Sequence, residues 1–291
     1  MDHSTDLGSA TIAILGLGLM GGSLAKAMQG RCRLLLGYDP NPNTLELALS
    51  EHIVNRAVSD PREILPKADL VILAAPVRAI INLIRELPGW HPGGPVVIDL
   101  GSTKRQVCEA LAGLPDRFDP LGGHPMCGKS VHGLSNAEAN LFQGAAFAFT
   151  PLPRTSPRAL VLAAQLAEAI GARPLWLEPE THDRWVAATS HMPYLLACAL
   201  ALTTPLETAP LAGPGFRSAT RLATSSLGMM EDILRTNREN LLQVIALFGA
   251  ELRRLERLLA EEDYPALSQE LQLAAENIQA LVGVSGKEVA G

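Results

Sequence analysis

Cysteine is scarce: four residues in 291, at Cys32, Cys108, Cys127 and Cys198, with no CxxC pair among them. So few and so scattered, they exclude a disulfide framework and the usual zinc spacing, and they read as small core residues suited to a reducing compartment. The seven histidines are dispersed and no HExxH occurs, so no metal site is expected. No block of like charge is present, and a net charge of -6 with a pI near 5.7 leaves no electrostatic footprint for nucleic acid. The first ten residues, MDHSTDLGSA, carry acids and no apolar core, which excludes a secretory signal or anchor there. No apolar run reaches the ~18 residues a membrane helix needs. The expectation is a cytoplasmic protein without a membrane or nucleic-acid partner. Repeats and low-complexity tracts are missing as well, and only ten residues follow Leu281 (291 minus 281), so no appended regulatory domain is expected.

What the chain does contain begins at Thr11. The β-branched apolar run TIAIL stops at GLGLMGG, a glycine turn opening into a helix-forming segment. Such a turn suits a nucleotide pyrophosphate: Gly16 permits the tight bend, Gly18 lets backbone N–H groups approach phosphate, and Gly21 lets helix pack on strand. Leu19 and Met20 fall in the same turn. A second run, Leu34 to Tyr38, ends in Asp39, about twenty residues past the glycines, where a carboxylate binds both hydroxyls of an adenosine ribose. Strand, turn, helix and acid in register point to a dinucleotide; an ordinary βα turn is the plain alternative.

Short apolar runs alternate with helical segments as far as Glu178, the pattern of βαβ units on a largely parallel sheet. The strands are expected at residues 11–15, 34–38, 70–74, 96–100, 118–121, 145–150 and 173–177. Helices are expected at 43–50, 77–86, 104–111 and 157–170, the last with Pro157 in its first turn. Beyond Glu178 the β signals end, and helical patterns run from Thr181 to Leu281 with breaks at 205–214 and at Pro265. The expectation is a doubly wound dinucleotide-binding domain over residues 1–178 and an all-α substrate and dimerisation domain over 179–291. In the latter, Leu241, Ile245, Phe248, Leu252, Leu255 and Leu259 draw one apolar seam, to be covered within the chain or by a second copy.

Active sites in doubly wound folds lie off the carboxyl ends of the strands. Ala75 and Pro76 follow one strand there and are expected to meet the cofactor. Ser102, in DLGSTK, follows another, placed either to cap the next helix or to sit beside a nicotinamide. His124, in LGGHPM, reads as a residue on a glycine loop, and neutral imidazole can take a hydroxyl proton as hydride leaves the same carbon. A satisfied core histidine is the alternative. In the helical half, His191 of SHMPY lies inside an apolar helix that Pro193 should bend, and it requires a partner, structural or ligand. Arg217 and Arg221, at i and i+4 of GFRSATR, suit an anionic substrate or form a solvated face.

The motifs GLGLMGGSLA, DLVILAAPV, DLGSTK, GGHPMCG, SHMPYLL and GFRSATRLA, in this order with the Asp39 strand, resemble the prephenate and arogenate dehydrogenases of tyrosine biosynthesis. The resemblance runs from about residue 11 past residue 230 and implies an NAD-binding Rossmann domain followed by a helical dimerisation domain. It implies that His124, assisted by Ser102, deprotonates the 4-hydroxyl of a cyclohexadienol during hydride transfer, and that ring decarboxylation follows because it creates an aromatic ring. It further implies that Arg221 clamps a substrate carboxylate, that His191 and Arg217 line the pocket, and that Asp39 favours NAD over NADP, in keeping with Asn41 where a base would serve NADP. Prephenate is expected as substrate, with arogenate as the alternative; tyrosine is expected to inhibit at the active site. Two positions depart from the family: Lys129-Ser130-Val131 replaces an acidic residue after HPMxG, and Met230 replaces an aromatic, both expected at the rim. A β-hydroxyacid dehydrogenase would need a lysine in the helical half, where only Lys287 occurs. A protein that uses the fold solely to bind NAD is the non-enzymatic reading.

Overall fold

The structure, a computed structural model, describes residues 6–129 and 131–287. The start of the leader reading, residues 1–5, and Ser130 lie outside the described residues. In chain order the elements are β1 (Thr11–Leu15), α1 (Leu19–Met28), β2 (Leu34–Tyr38), α2 (Pro42–Ser50), β3 (Arg56–Val58), β4 (Leu70–Leu73), α3 (Val77–Trp90), β5 (Val96–Asp99), α4 (Arg105–Ala112), β6 (Asp119–Pro125), β7 (Ala146–Pro151), α5 (Pro157–Ala169), β8 (Arg173–Trp176), α6 (Pro179–Val186), α7 (Met192–Thr203), α8 (Pro214–Thr220), α9 (Leu227–Thr236), α10 (Arg238–Ala260) and α11 (Tyr264–Lys287). Contacts group them into two compact units, one ending at Leu241 and one beginning at Leu242.

In the first unit, eight strands form one sheet in the order β3-β2-β1-β4-β5-β6-β7-β8. All neighbours run parallel except β6 and β7. Its central strands read as unbroken apolar runs because both faces are covered. Ile12, Ile14, Leu70, Ile72, Val96 and Ile98 pack on one side with α1 and α5, while Ala13, Leu15, Val71, Leu73 and Val97 pack on the other with α3 and α4. The strand β3 has no counterpart in the expected set: three residues, Arg-Ala-Val, carry no apolar run, and only pairing with Leu36–Tyr38 makes them a strand. All four cysteines are free; Cys108 is buried and the other three are half-buried.

The helices from Pro179 to Leu241 also belong to the first unit. Between α6 and α7 the residues Ala187–His191 form one π-helical turn ahead of Pro193, so the bend expected at the proline is taken up by a widened turn rather than a break. Together α6, this turn and α7 make a 25-residue helical stretch, Pro179–Thr203, long and apolar enough by length and composition to cross a membrane. No consecutive apolar run signals it, because His182, Asp183 and His191 interrupt the pattern. Those groups are buried in hydrogen bonds to other parts of the unit, while Trp185, Leu200 and Leu202 of the same stretch are exposed.

The second unit comprises the rest of α10 and α11, joined through Glu261–Asp263 and tied by an Arg254–Glu270 ion pair. Its seam is largely uncovered in the single chain: Ile245, Phe248, Leu252 and Leu259 are exposed, the last two by 56 % and 58 %.

Candidate active site

The glycine turn has the geometry its sequence requires. Gly16 takes φ +103°, and a Cβ there would collide with the Ala74 carbonyl; a Cβ on Gly21 would collide with the Gly16 carbonyl. Gly18, which precedes α1 and caps it with no side chain, faces open space. That space beside unpaired helix N–H groups is the room a pyrophosphate requires. Leu19 and Met20 form the first turn of α1. Asp39 closes the other side: its carboxylate accepts from the Leu17 N–H at 2.9 Å and the Asn41 N–H at 2.9 Å, which aims it across the turn with lone pairs to spare. The Asn41 side chain is occupied in capping α2 through the Asn43 N–H. Ala75 and Pro76 lead from β4 into α3, next to Gly16, and Asp232 of α9 accepts from the Arg78 N–H at 3.2 Å in the first turn of α3. The residues present therefore fit a dinucleotide.

His124 is not on a loop. Residues Gly122–Pro125 belong to β6, and His124 sits opposite Ala148 of the antiparallel β7. The adjoining glycines serve close packing within the sheet, since a Cβ on Gly122 would meet the Thr150 hydroxyl and one on Gly123 the Asp99 carbonyl. Under them lies a fully buried ion pair, Lys104 with Asp99. Lys104 Nζ also donates to the Gly123 carbonyl at 2.6 Å, and the Asp99 carboxylate accepts from the Gly123 and Gly101 N–H groups. Both sides of the residue before His124 are thus clamped, and the same pair pins the turn carrying Ser102.

The ring of His124 is oriented from the helical half. His124 Nδ1 lies 2.9 Å from His182 Nε2, and His182 Nδ1 lies 2.8 Å from Asp183 Oδ1. Asp183 accepts in addition from the Lys104 and Arg105 N–H groups, at 2.6 and 2.9 Å. Those donors keep it a carboxylate, and its pKa falls below the ordinary value through its bonds to His182 and these two N–H groups, against the opposing pull of burial. An ionised carboxylate only accepts, so His182 carries its proton on Nδ1 and presents a lone pair at Nε2. His124 must then donate from Nδ1, which leaves Nε2 of His124 as a free base. Burial above all, with the nearby His182, Lys104 and His191, pushes the His124 pKa well below the usual histidine value, so the base is neutral at physiological pH.

Ser102 makes no cap: α4 begins at Arg105 and its first N–H groups are satisfied by Asp183, so the Ser102 hydroxyl has no partner among the described residues. His191 is buried, and its ring Nδ1 lies 3.1 Å from the Asn237 amide. Burial first, then the His182 charge, lowers its pKa to about 4, against the pull of Asp183. Arg217 and Arg221 are exposed at the end of α8 and on the following 3-10 turn, which packs on α7; Arg217 Nε donates to the Ala212 carbonyl. Met230 is buried beside Tyr194 and Ile233, which places it in a small apolar core rather than at a rim. Lys129 pairs with Glu138 at 2.5 Å. No cluster able to hold a metal ion occurs among the described residues.

Sequence reading did not single out His182, Asp183 or Asn237. The adjacent His-Asp of PETHDRW was the available signal: such a pair in the first turn of a polar helix start is placed to orient another imidazole.

A nucleotide cradle at the carboxyl ends of β1, β2 and β4, with a neutral imidazole base on β6 held by an acid–imidazole pair, defines a dinucleotide-dependent dehydrogenase. The family models for the prephenate dehydrogenase nucleotide-binding domain and dimerization domain match residues 24–175 and 178–273. The chain is 31% identical to the prephenate dehydrogenase of Bacillus subtilis (strain 168) over 266 residues, 87% of this chain and 71% of the relative. Its structure is similar to that of the Aquifex aeolicus prephenate dehydrogenase in complex with hydroxyphenyl propionate and NAD+, with a TM-score of 0.87, 28% identity, and coverage of 94% and 99% of the two chains. It is similar also to Synechocystis arogenate dehydrogenase, with a TM-score of 0.79 and 26% identity over 93% and 99%. The chain belongs to the prephenate dehydrogenase family, with a Rossmann-type domain followed by a helical domain.

Proposed function

We propose that the protein catalyses the NAD-dependent oxidative decarboxylation of prephenate to 4-hydroxyphenylpyruvate, a step of tyrosine biosynthesis. The observation that carries this is the free Nε2 of His124, fixed by the His182–Asp183 pair. NAD supplies the hydride acceptor when bound. Gly16, Gly18, Leu19, Met20 and Gly21 hold its pyrophosphate, Asp39 its adenosine ribose, and Ala75, Pro76 and Ser102 its nicotinamide end; the Asp39 carboxylate repels the 2′-phosphate of NADP. His124 Nε2 takes the proton of the ring hydroxyl as hydride leaves C4, and Ser102, free of any cap, donates or accepts at the same oxygen. Loss of the ring carboxylate as carbon dioxide is driven by aromatisation: the electron pair of the broken C–C bond passes through the ring to the oxygen, which takes its proton back from His124. Arg221 binds a substrate carboxylate through its guanidinium fork, with Arg217 and His191 lining the pocket.

The test is turnover of the purified protein with prephenate or arogenate and NAD or NADP, alongside His124→Asn. Prephenate with NAD is expected to be the best pair, and the variant to lose about 10²–10⁴-fold in kcat with NAD affinity retained. Undiminished turnover in His124→Asn overturns the mechanism, and faster use of arogenate overturns the substrate assignment, which the Synechocystis likeness keeps as the second reading. The same assay with tyrosine added tests feedback at this site: relief by excess prephenate is expected, and its absence refutes that location.

We further propose a homodimer formed through the helical domain, here taken as residues 179–291 against a nucleotide domain of 1–178. Support comes from the uncovered seam of α10 and from the dimerization-domain match. Light scattering at twice the chain mass is expected; a monomer at micromolar concentration refutes it. The cytoplasm is the proposed compartment, in keeping with four free cysteines, and recovery in the membrane fraction would count against it.

A further inference from the structure

The proposed site is assigned two histidines, and their ring protons are set in opposite ways. The second, His191, is governed by Asn237, a residue that closes α9 and is 2 % exposed. The Asn237 amide has three neighbours. Its Nδ2 lies 2.7 Å from the main-chain carbonyl of Asp183 and 3.1 Å from His191 Nδ1, while its Oδ1 accepts from the Asn240 side-chain amide at 2.8 Å.

A carbonyl can only accept, so the amide atom against Asp183 must be the nitrogen, and the Asn240 bond agrees. The other hydrogen of that nitrogen points at His191 Nδ1, which must offer its lone pair. His191 is a neutral ring, so its single proton sits on Nε2, and Nε2 meets no hydrogen-bond partner among the described residues. Among the described residues, the one buried side-chain nitrogen or oxygen without a partner is Arg154 Nε.

We propose that Asn237 is a positioning residue that locks His191 as the Nε2–H tautomer, turning it into a neutral hydrogen-bond donor for an oxygen of the substrate. It rests on the reading that His191 lines the substrate pocket. The division of labour follows: His124 presents a lone pair and removes a proton, whereas His191 presents a proton and cannot remove one. Were the Asn237 amide absent or replaced by an acceptor, His191 would be free to carry its proton on Nδ1 and turn a lone pair toward the substrate oxygen, exchanging attraction for repulsion. Both groups that define the tautomer, Asp183 and Asn240, hold the amide from different elements, so it has no room to rotate.

The test uses the full-length protein labelled with ¹⁵N-histidine, the His191 signals being assigned by their loss in His191→Gln. In the parent protein, long-range proton–nitrogen correlations are expected to show His191 Nδ1 as the unprotonated nitrogen and Nε2 as the protonated one. Asn237→Asp is expected to move the proton to Nδ1 and to raise KM for prephenate about tenfold, the worth of one such hydrogen bond, while KM for NAD changes little and kcat falls less than KM rises. Asn237→Ala, which removes the donor without adding an acceptor, should give a mixture of tautomers and an intermediate KM. A protonated Nδ1 in the parent protein overturns the proposal, and so does an unchanged tautomer or an unchanged prephenate KM in Asn237→Asp. The nitrogen spectrum requires no substrate, so a protein that showed the expected tautomer but failed to turn over prephenate would sink the functional reading and leave the tautomer lock standing.

Discussion

The cofactor turn and its ribose acid occupy residues 16 to 39, a stretch of 24 (39 minus 16, plus one), whereas the groups that orient the two site histidines are drawn from Asp99 to Asn237, a stretch of 139 (237 minus 99, plus one). In the first region the constraints are backbone sterics and backbone N–H groups. Gly16 takes a positive φ because the backbone bends beside the Ala74 carbonyl, and Asp39 is aimed by N–H groups two and twenty-two residues away. In the second region the deciding partners are side chains, most of them far off in the chain, although Asp183 holds the adjacent His182. His124 stands in a strand, and what makes it a base is a proton held on a histidine 58 residues later by an acid that also caps a helix from the other half of the unit. Regions of the first kind fail locally when changed; regions of the second kind fail through their partners.

The largest expected break in this comparison is Asp183→Asn. The amide side chain must turn its NH2 toward either the His182 Nδ1–H or the backbone N–H groups of α4, so the tautomer chain loses its anchor. Loss of about 10²–10⁴-fold in kcat is expected by analogy with other acid-to-amide changes behind an imidazole, with NAD affinity measured by fluorescence titration nearly unaltered. Parent-like kcat would show that the acid only caps α4. Gly16→Ala should produce the reverse split, because a Cβ at φ +103° is strained by about 1–3 kcal/mol and strikes the Ala74 carbonyl. Weakening of NAD binding by about tenfold or more is expected, with kcat at saturating cofactor changed less. Equal losses in both constants would mean the two regions are one mechanical piece.

The smallest effect concerns pH. Burial lowers the pKa values of His124, His182 and His191, and of His91, which is locked between the Ala68 carbonyl and the Gly93 N–H. In each case the unfolded chain binds a proton that the folded protein refuses, so stability is greatest above pH ~6.5 and declines as the pH falls below that value. For His191 the decline continues to its folded value of about 4, at about 1.4 kcal/mol for each pH unit. Urea unfolding midpoints taken from pH about 7 down to about 5 should fall less steeply in His191→Gln than in the parent protein. An identical slope would show that His191 is protonated without cost and so is not desolvated.

How much of this was legible beforehand follows the same division. β1 and β2 and the glycine turn were readable to the residue, since apolar runs, glycine offsets and a terminal acid are local signals. Strand β3 was not, because three residues acquire strand geometry only from β2. The histidine of GGHP was read as lying on a loop because of its neighbouring glycines, whereas it stands in a strand; their close packing against Thr150 and Asp99 belongs to strands far off in the chain. The Arg217 and Arg221 spacing was readable, while the burial of Met230 against Tyr194 was not.

By itself, the order of residues determined a doubly wound nucleotide domain and a helical half with an apolar seam. Those features rest on periodicity and backbone sterics, which act over a few residues. Only the tertiary structure decided which nitrogen of each histidine carries its proton and which acid holds the chain of hydrogen bonds in place. The reason is that a tautomer is set by the single partner on the far side of the ring, and folding alone brings that partner within reach.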